Sequence, residues 1–293
     1  MEISGESRYF SGTNTMTTAI LFDIDSTLTP PRQPITEEMV EALIRLSVPF
    51  HVAAGSHMAL VQGQFLTPLY QYGYRGKFEA FLSNGAIHYR CDYSNGMSVR
   101  VASEFNLREY LGETDYNLVI STLKRILRLK KFKLGGNLQV MGKRIADRGS
   151  MINFCPIGRV IVEDVAVSRN RANFVKYDRT NGYRKMVVDY LSHELARLID
   201  TRHLSIALGG QTSFDIGVSL HDKSTALRTL LQGKLVSHII FVGDALFEGG
   251  NDEPVLNFIE NWDSATPCPV EAVQVESWRD TLKILHARGF VNK

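Results

Sequence analysis

The chain has 293 residues, 44% of them hydrophobic, and a formal net charge of +2. That length builds one large domain or two modest ones around ordinary buried cores, and the near-neutral charge argues against broad nucleic-acid binding. No stretch approaches the ~18 apolar residues of a membrane span, and Cys91, Cys155 and Cys268 are odd in number and scattered, which fits reduced thiols in the cytoplasm and not a disulfide framework.

Residues 1–17 are polar and lack the apolar region of a signal peptide, so a disordered extension is expected there. The apolar run Ala19–Phe22 predicts a buried strand that delivers Asp23 and Asp25 to its end, followed by turn-prone Ser26 and Thr27. Period-two alternation points both carboxylates the same way. An Asp-x-Asp pair alone favours a solvated acidic turn. The apolar strand before it and Thr27-Leu28-Thr29 after it favour a site in which a hard cation such as Mg2+ relieves the repulsion. One aspartate then serves as nucleophile and the other as proton donor. Thr36 is placed to cap a helix with Glu37 and Glu38 in its first turn. A second strand, Pro49–Ala54, runs into Gly55-Ser56, and a helix is expected over His57–Tyr70. Phe78–Leu82 predicts a third strand. Ala86–Arg90 and Met97–Val101 read as a hairpin around Asn95-Gly96. Alternation of strand and helix signals a parallel α/β sheet.

The middle of the chain reads differently. A helix over Leu118–Leu129 carries a basic face, best explained as solvated. Strand-like pieces follow at Leu138–Met141, Met151–Phe154, Leu204–Leu208 and Phe214–Gly217, with a helix over Gly182–Leu198 between them. From Lys223 the α/β rhythm returns, with a helix to Leu231 and the strand His238–Val242 ending in Gly243-Asp244. The expected organisation is an extension (1–17), a split Rossmann-like core (18–95 and 219–293) and an inserted α+β cap (96–218).

Four features would complete a phosphoryl-transfer site. They are Asp23 with Asp25; Ser56 after the second strand, where a hydroxyl and free N–H groups can hold phosphate; Lys223 at the start of a helix; and Asp244, followed by the turn Gly249-Gly250-Asn251-Asp252. Ligands bind where parallel strands end, so the first, second and fourth converge by topology. Their order is the pattern of the haloacid-dehalogenase-like superfamily. With Leu28–Gln33, Met151–Arg159 (containing Pro-Ile-Gly-Arg) and Gly209–Asp215 (Gly-Gly-Gln-Thr-Ser-Phe-Asp), the chain resembles the eukaryotic-type phosphomannomutase family from about Ala19 to the C-terminal region.

The resemblance implies Asp23 as the nucleophile and Asp25 as general acid/base. It implies Mg2+ held by Asp23, the Asp25 carbonyl and Asp244, with Asn251 and Asp252 nearby, and a transferring phosphoryl group held by Ser56 and Lys223. Arg32 would reach toward substrate. Arg148, Arg159 and Arg171 would grip the distal phosphate, and Gln211, Ser213 and Asp215 would contact the sugar and its phosphate. The implied reaction interconverts mannose 6-phosphate and mannose 1-phosphate, with glucose phosphates as further substrates, and a hexose 1,6-bisphosphate as intermediate and activator. The expected partners are small sugar phosphates, with no nucleic acid and no membrane, and a homodimer through the cap is a further expectation. The chain departs from the family at Ser26, where glycine is usual, and Gly142–Asp147 reads as an insertion. A sugar-phosphate phosphatase would share Asp23 and Asp25 but use water as acceptor. A non-enzymatic sensor would have no use for a nucleophile.

Overall fold

The structure is a computed structural model that describes residues 17–160, 164–233, 236–263 and 266–292. Nearly all of the expected N-terminal extension therefore lies outside the described residues. The fold is α/β, with a larger sheet and a separate antiparallel one. The strands are β1 (Thr18–Phe22), β2 (Phe50–Ala53), β3 (Lys77–Leu82), β4 (Ile87–Asp92), β5 (Ser98–Glu104), β6 (Lys143–Asp147), β7 (Ile152–Arg159), β8 (Leu204–Gly209), β9 (Ser213–Val218), β10 (His238–Gly243) and β11 (Val270–Gln274). The larger sheet has the order β11-β10-β1-β2-β3-β4-β5, and the smaller one β6-β7-β9-β8. No helix among the described residues is long and apolar enough to cross a membrane.

The chain forms two compact units. The first comprises residues up to Ala80, Arg90–Val99 and the chain from Ala226 on; the second comprises Phe81–Tyr89 and Arg100–Thr225. In the first unit, β11, β10, β1 and β2 pair in parallel. Ala19 to Phe22 on β1 and Phe241 on β10 are fully buried, as expected for strands covered on both faces. Register sets the site: Phe22 lies opposite Val242, so the residues just beyond β1 and β10 emerge side by side. Thr36 caps the helix Glu37–Ile44, its side chain accepting from the Met39 amide at 3.3 Å. The segment read as one helix over His57–Tyr70 is helical from Met58 to Gln71, with a π turn at Gln62–Leu66.

The second unit packs helices on the antiparallel sheet. Phe154 and Phe214 of β7 and β9 stack in its core with rings 5.6 Å apart, and Phe174, Tyr183, Val187 and Leu191 come from the helices. Leu138–Met141 is not a strand. Asn170 engages the backbone there at both ends, its Oδ1 accepting from the Gln139 amide at 3.0 Å and its Nδ2 donating to the Gln139 carbonyl at 2.8 Å. Those groups are no longer open to a ladder. The strand lies later, at β6, within the segment that read as an insertion, and it pairs antiparallel with β7. Gly182 carries φ 60° and ends a helix, Val165–Asn181, so the expected Gly182–Leu198 helix begins at Tyr183 and breaks at Leu195.

Asn170→Ala removes both of these bonds at a buried side chain. It should lower unfolding stability by about 1–2 kcal/mol, read as a reduced urea midpoint at unchanged slope.

Candidate active site

The loop after β1 is held at several points. The Asp23 amide donates to the Val242 carbonyl at 2.9 Å, and the Leu28 and Thr29 amides both donate to the Ile24 carbonyl. From the C-terminal helix Trp278–Ala287, the Thr281 hydroxyl donates to the Thr27 carbonyl at 2.7 Å. Ser26 sits at φ 67°, in the left-handed region that glycine favours.

Asp23 is 3% exposed and Asp252 is fully buried. With Asp244 they bring one carboxylate oxygen each within 4.8 Å of one another. Asp23 follows β1, Asp244 follows β10, and Asp252 precedes the helix Glu253–Glu260. Asp252 Oδ2 accepts from the Ala245 amide at 3.0 Å. Gly243 is needed for this approach, because a Cβ there would lie 2.4 Å from Asp252 Oδ2. A set of hard anionic oxygens fits a divalent oxygen-seeking cation. Asn251, the neighbouring candidate, is exposed.

Asp25 is not in that trio. Its Oδ1 accepts from Gln64 Nε2 at 2.8 Å and from the Arg32 backbone amide at 2.6 Å. Gln64 is 4% exposed and also donates to the Thr29 hydroxyl at 2.8 Å, which in turn donates to the Ile24 carbonyl at 3.2 Å. Gln64 was not a sequence candidate. It stands in the π turn, a distortion that often marks functional positions. Arg32 has φ 55° and an exposed side chain, and it is the backbone amide of this residue that meets Asp25. Ser56 is half-buried and precedes His57, the residue that occupies the N-cap of the following helix.

The second unit gathers the other cationic candidates. Arg148 follows β6 and Arg159 ends β7. The Arg148 guanidinium is held below its ordinary range by burial first and then by Arg159, with Asp215 acting in the opposite sense. These three therefore share one neighbourhood. The Cys155 thiol is raised by burial and opposed in part by Arg159 and Arg171, which brings the third arginine into the group. Asp215 on β9 lies opposite Asn153 on β7 and accepts from its Nδ2 at 2.6 Å. Ser213 donates to the Gly209 carbonyl, and Gln211 is exposed in the turn between β8 and β9. Lys223 is 1% exposed, just before the helix Ser224–Gln232.

Residues 37–285 match the family described as eukaryotic phosphomannomutase. A phosphomannomutase of Spinacia oleracea is 33% identical over 237 residues, covering 79% of this chain and 83% of that protein. A phosphomannomutase of Triticum aestivum is 31% identical, covering 87% and 92%. Phosphomannomutase 2 of Dictyostelium discoideum is 29% identical, covering 92% and 95%. Among solved structures, Plasmodium falciparum IMP-nucleotidase superposes with a TM-score of 0.58 at 12% identity, covering 94% of this chain and 63% of that one, a likeness of fold alone. The chain belongs to the eukaryotic phosphomannomutase family, and its fold is haloacid-dehalogenase-like.

The Gln64 contacts generate an ordered series. Gln64→Leu keeps the volume but loses a hydrogen bond to a charged group, worth roughly 1.5–3 kcal/mol, so turnover should fall about 10- to 100-fold with KM little changed. Gln64→Glu places a carboxylate against Asp25 and should be slower still. A purely structural glutamine would give equal losses for the two variants and a matching loss of thermal stability.

Proposed function

We propose that this chain is a Mg2+-dependent phosphohexomutase interconverting mannose 6-phosphate and mannose 1-phosphate, with glucose phosphates as further substrates and a hexose 1,6-bisphosphate as activator and intermediate. The observation that carries the reading is the division of charge. Three clustered carboxylates, two of them buried and one the strand-end Asp23, stand in one unit, and an arginine cluster with a sugar-type acceptor, Asp215, stands in the other. A mutase needs one phosphate at a nucleophile and the other in a cationic grip, and each unit supplies one of these.

In the proposed cycle an Asp23 carboxylate oxygen attacks phosphorus of the bisphosphate. The bond from phosphorus to the sugar oxygen breaks, and that oxygen takes its proton from Asp25. The monophosphate so formed leaves, and the second half takes its isomer, which carries its phosphate at the opposite end; the bisphosphate is the species that turns end for end between the halves. The isomer's hydroxyl gives a proton to Asp25 and attacks the aspartyl phosphate, which restores the free Asp23 carboxylate and the bisphosphate. Gln64 and the Arg32 amide orient the Asp25 carboxylate for both transfers. Arg148, Arg159 and Arg171 bind whichever phosphate is not reacting, because guanidinium forks hold phosphate oxygens two at a time. Asp23, Asp244 and Asp252 would hold Mg2+, with the Asp25 carbonyl and Asn251 as further oxygen donors; when bound, the ion supplies positive charge against the phosphoryl oxygens. Ser56 and Lys223 would hold the transferring group. A homodimer through the second unit belongs to the same proposal, supported by Leu208, which is 54% exposed on the edge strand β8.

Asp23→Asn should abolish conversion of mannose 1-phosphate in a coupled assay while leaving the unfolding transition in place, and chelation of divalent metal should silence the wild type reversibly. Near-normal turnover in either case removes the covalent, metal-assisted reading.

Arg159→Ala separates mutase from phosphatase. A charge-assisted contact to phosphate is worth roughly 1.5–3 kcal/mol, and a mutase uses it for each end of the bisphosphate. Mutase turnover should fall strongly, whereas hydrolysis of a small ester with one phosphate should barely change. Equal loss on both makes Arg159 structural. A wild type that releases phosphate from mannose 6-phosphate, and forms no mannose 1-phosphate with bisphosphate present, is a phosphatase.

A further inference from the structure

A small polar pocket in the second unit shares only Asp215 with the chemistry above. It measures about 90 Å³ and is lined by Ser83, Asn84, Ser150, Ser205, Asp215 and His221 among others. Two of these residues carry a buried polar atom that has no hydrogen-bond partner, Ser150 Oγ and His221 Nδ1. Ser150 is 4% exposed. Leaving such groups unsatisfied is costly, so two around one cavity call for an occupant.

The walls are fixed. The Ser150 amide donates to the Arg148 carbonyl at 3.0 Å, and the neighbouring Gly149 carbonyl accepts from the Leu107 amide at 2.9 Å. The His221 ring lies 4.3 Å from the ring of Phe105. Ser83 and Asn84 sit in succession at φ 53° and 58°. Gly85 follows at φ 81°, so close to the returning chain that a Cβ would stand 2.7 Å from the Asp222 carbonyl. Consecutive left-handed residues without glycine are costly and occur where the surroundings hold them in place, ligand clamps among them.

The chemistry of the lining selects the occupant. Ser150 and Ser205 can donate or accept, Asn84 offers both an amide donor and a carbonyl, and Asp215 only accepts. A carboxylate beside neutral groups disfavours an anion, and mixed donors and acceptors suit a group that is itself both. Burial keeps the His221 imidazole below its ordinary range, with Asp222 opposing, so the ring is neutral at physiological pH. A pocket of about 90 Å³ has room for one hydroxylated edge of a sugar. Asp215 belongs both to this pocket and to the neighbourhood of Arg148 and Arg159. A sugar whose phosphate rests on the arginines would bring its ring there.

We propose that Ser150 and His221, with Asp215, form a subsite that reads a ring hydroxyl of the hexose phosphate, and that the pocket is a specificity determinant of the chain. This rests on the sugar-phosphate reading above. The test compares kcat/KM for mannose 1-phosphate with that for its 2-, 3- and 4-deoxy analogues. In the wild type one analogue should be disfavoured by at least about 10-fold, because a site built to bond a hydroxyl rejects the compound lacking it. In Ser150→Ala that penalty should shrink to within about 3-fold, with the other ratios unmoved. His221→Phe, which retains an aromatic ring beside Phe105, should relax the same analogue. A general loss of folding or activity cancels in these ratios. Penalties that persist in both variants, or variants that lose equally on every sugar, overturn the subsite and leave the pocket to water. If the wild type isomerises none of these esters, the mutase reading fails by itself. The same ratios, measured by calorimetric binding of the esters, then decide the subsite alone.

Discussion

Three carboxylates that should repel one another set the terms for the rest of the first unit. Oxygens of Asp23, Asp244 and Asp252 lie within 4.8 Å of one another, and two of these residues are almost wholly removed from water. At an effective dielectric of about 20, each fully ionised pair at that range costs roughly 3 kcal/mol. The fold imposes this crowding through backbone that has no freedom to relax. The parallel register of β1 and β10 sets Phe22 opposite Val242, so Asp23 and Asp244 follow within two residues of the same rung, and Gly243, the last residue of β10, admits Asp252 where a Cβ would collide with it. The Ala245 amide then fixes the Asp252 carboxylate in that place. An arrangement that concentrates negative charge, and holds it, is one whose repulsion a cation would relieve.

Asp25 illustrates the complementary tactic. It is two residues from Asp23, yet its carboxylate is drawn to Gln64 and the Arg32 amide instead of to the trio. Two neighbouring acids thus acquire different surroundings, one among carboxylates and one among donors. Distinct surroundings are what separate a nucleophile from a proton carrier, since the same residue type would otherwise behave alike at both positions.

Much of the first unit is legible in the amino-acid sequence. Apolar runs ending in Asp23, Gly55-Ser56 and Gly243-Asp244 predict three strands, and the rule that parallel strands share an edge predicts that their ends meet. The second unit is harder to read. The helix Val165–Asn181 buries only Asn170 and Phe174 among its described residues, so it has almost no apolar stripe to detect. The strand expected at Leu138–Met141 has suitable residues, but the side-chain amide of Asn170 claims the amide and carbonyl of Gln139, and only the Met141 amide reaches β7, at the Ile157 carbonyl. Gln64 cannot be found by periodicity at all. A π turn shifts the helical phase by a residue, so the face on which it lies is not the face that a 3.6-residue repeat assigns.

The loop between Asp23 and Arg32 shows how local strain and chemistry are linked. Ser26 and Arg32 both hold φ values of 55–67°, a conformation that costs roughly 1–2 kcal/mol for a residue with a Cβ. Such a loop would relax if it were held at one point. It is held at several: by the Ile24 carbonyl, which gathers the Leu28 and Thr29 amides and the Thr29 hydroxyl; by Thr281 from the last helix; and by Gln64, which binds Thr29 and Asp25 together. The strained Arg32 backbone is what turns its amide onto Asp25 at 2.6 Å. Phosphoryl transfer tolerates little misplacement of the proton carrier, because its contribution depends on hydrogen-bond reach to the oxygen that changes hands. A serine held at φ 67° narrows the conformations open to the loop. The same left-handed turn is kept at a cost in stability, and what that cost provides is a carboxylate with one place to be.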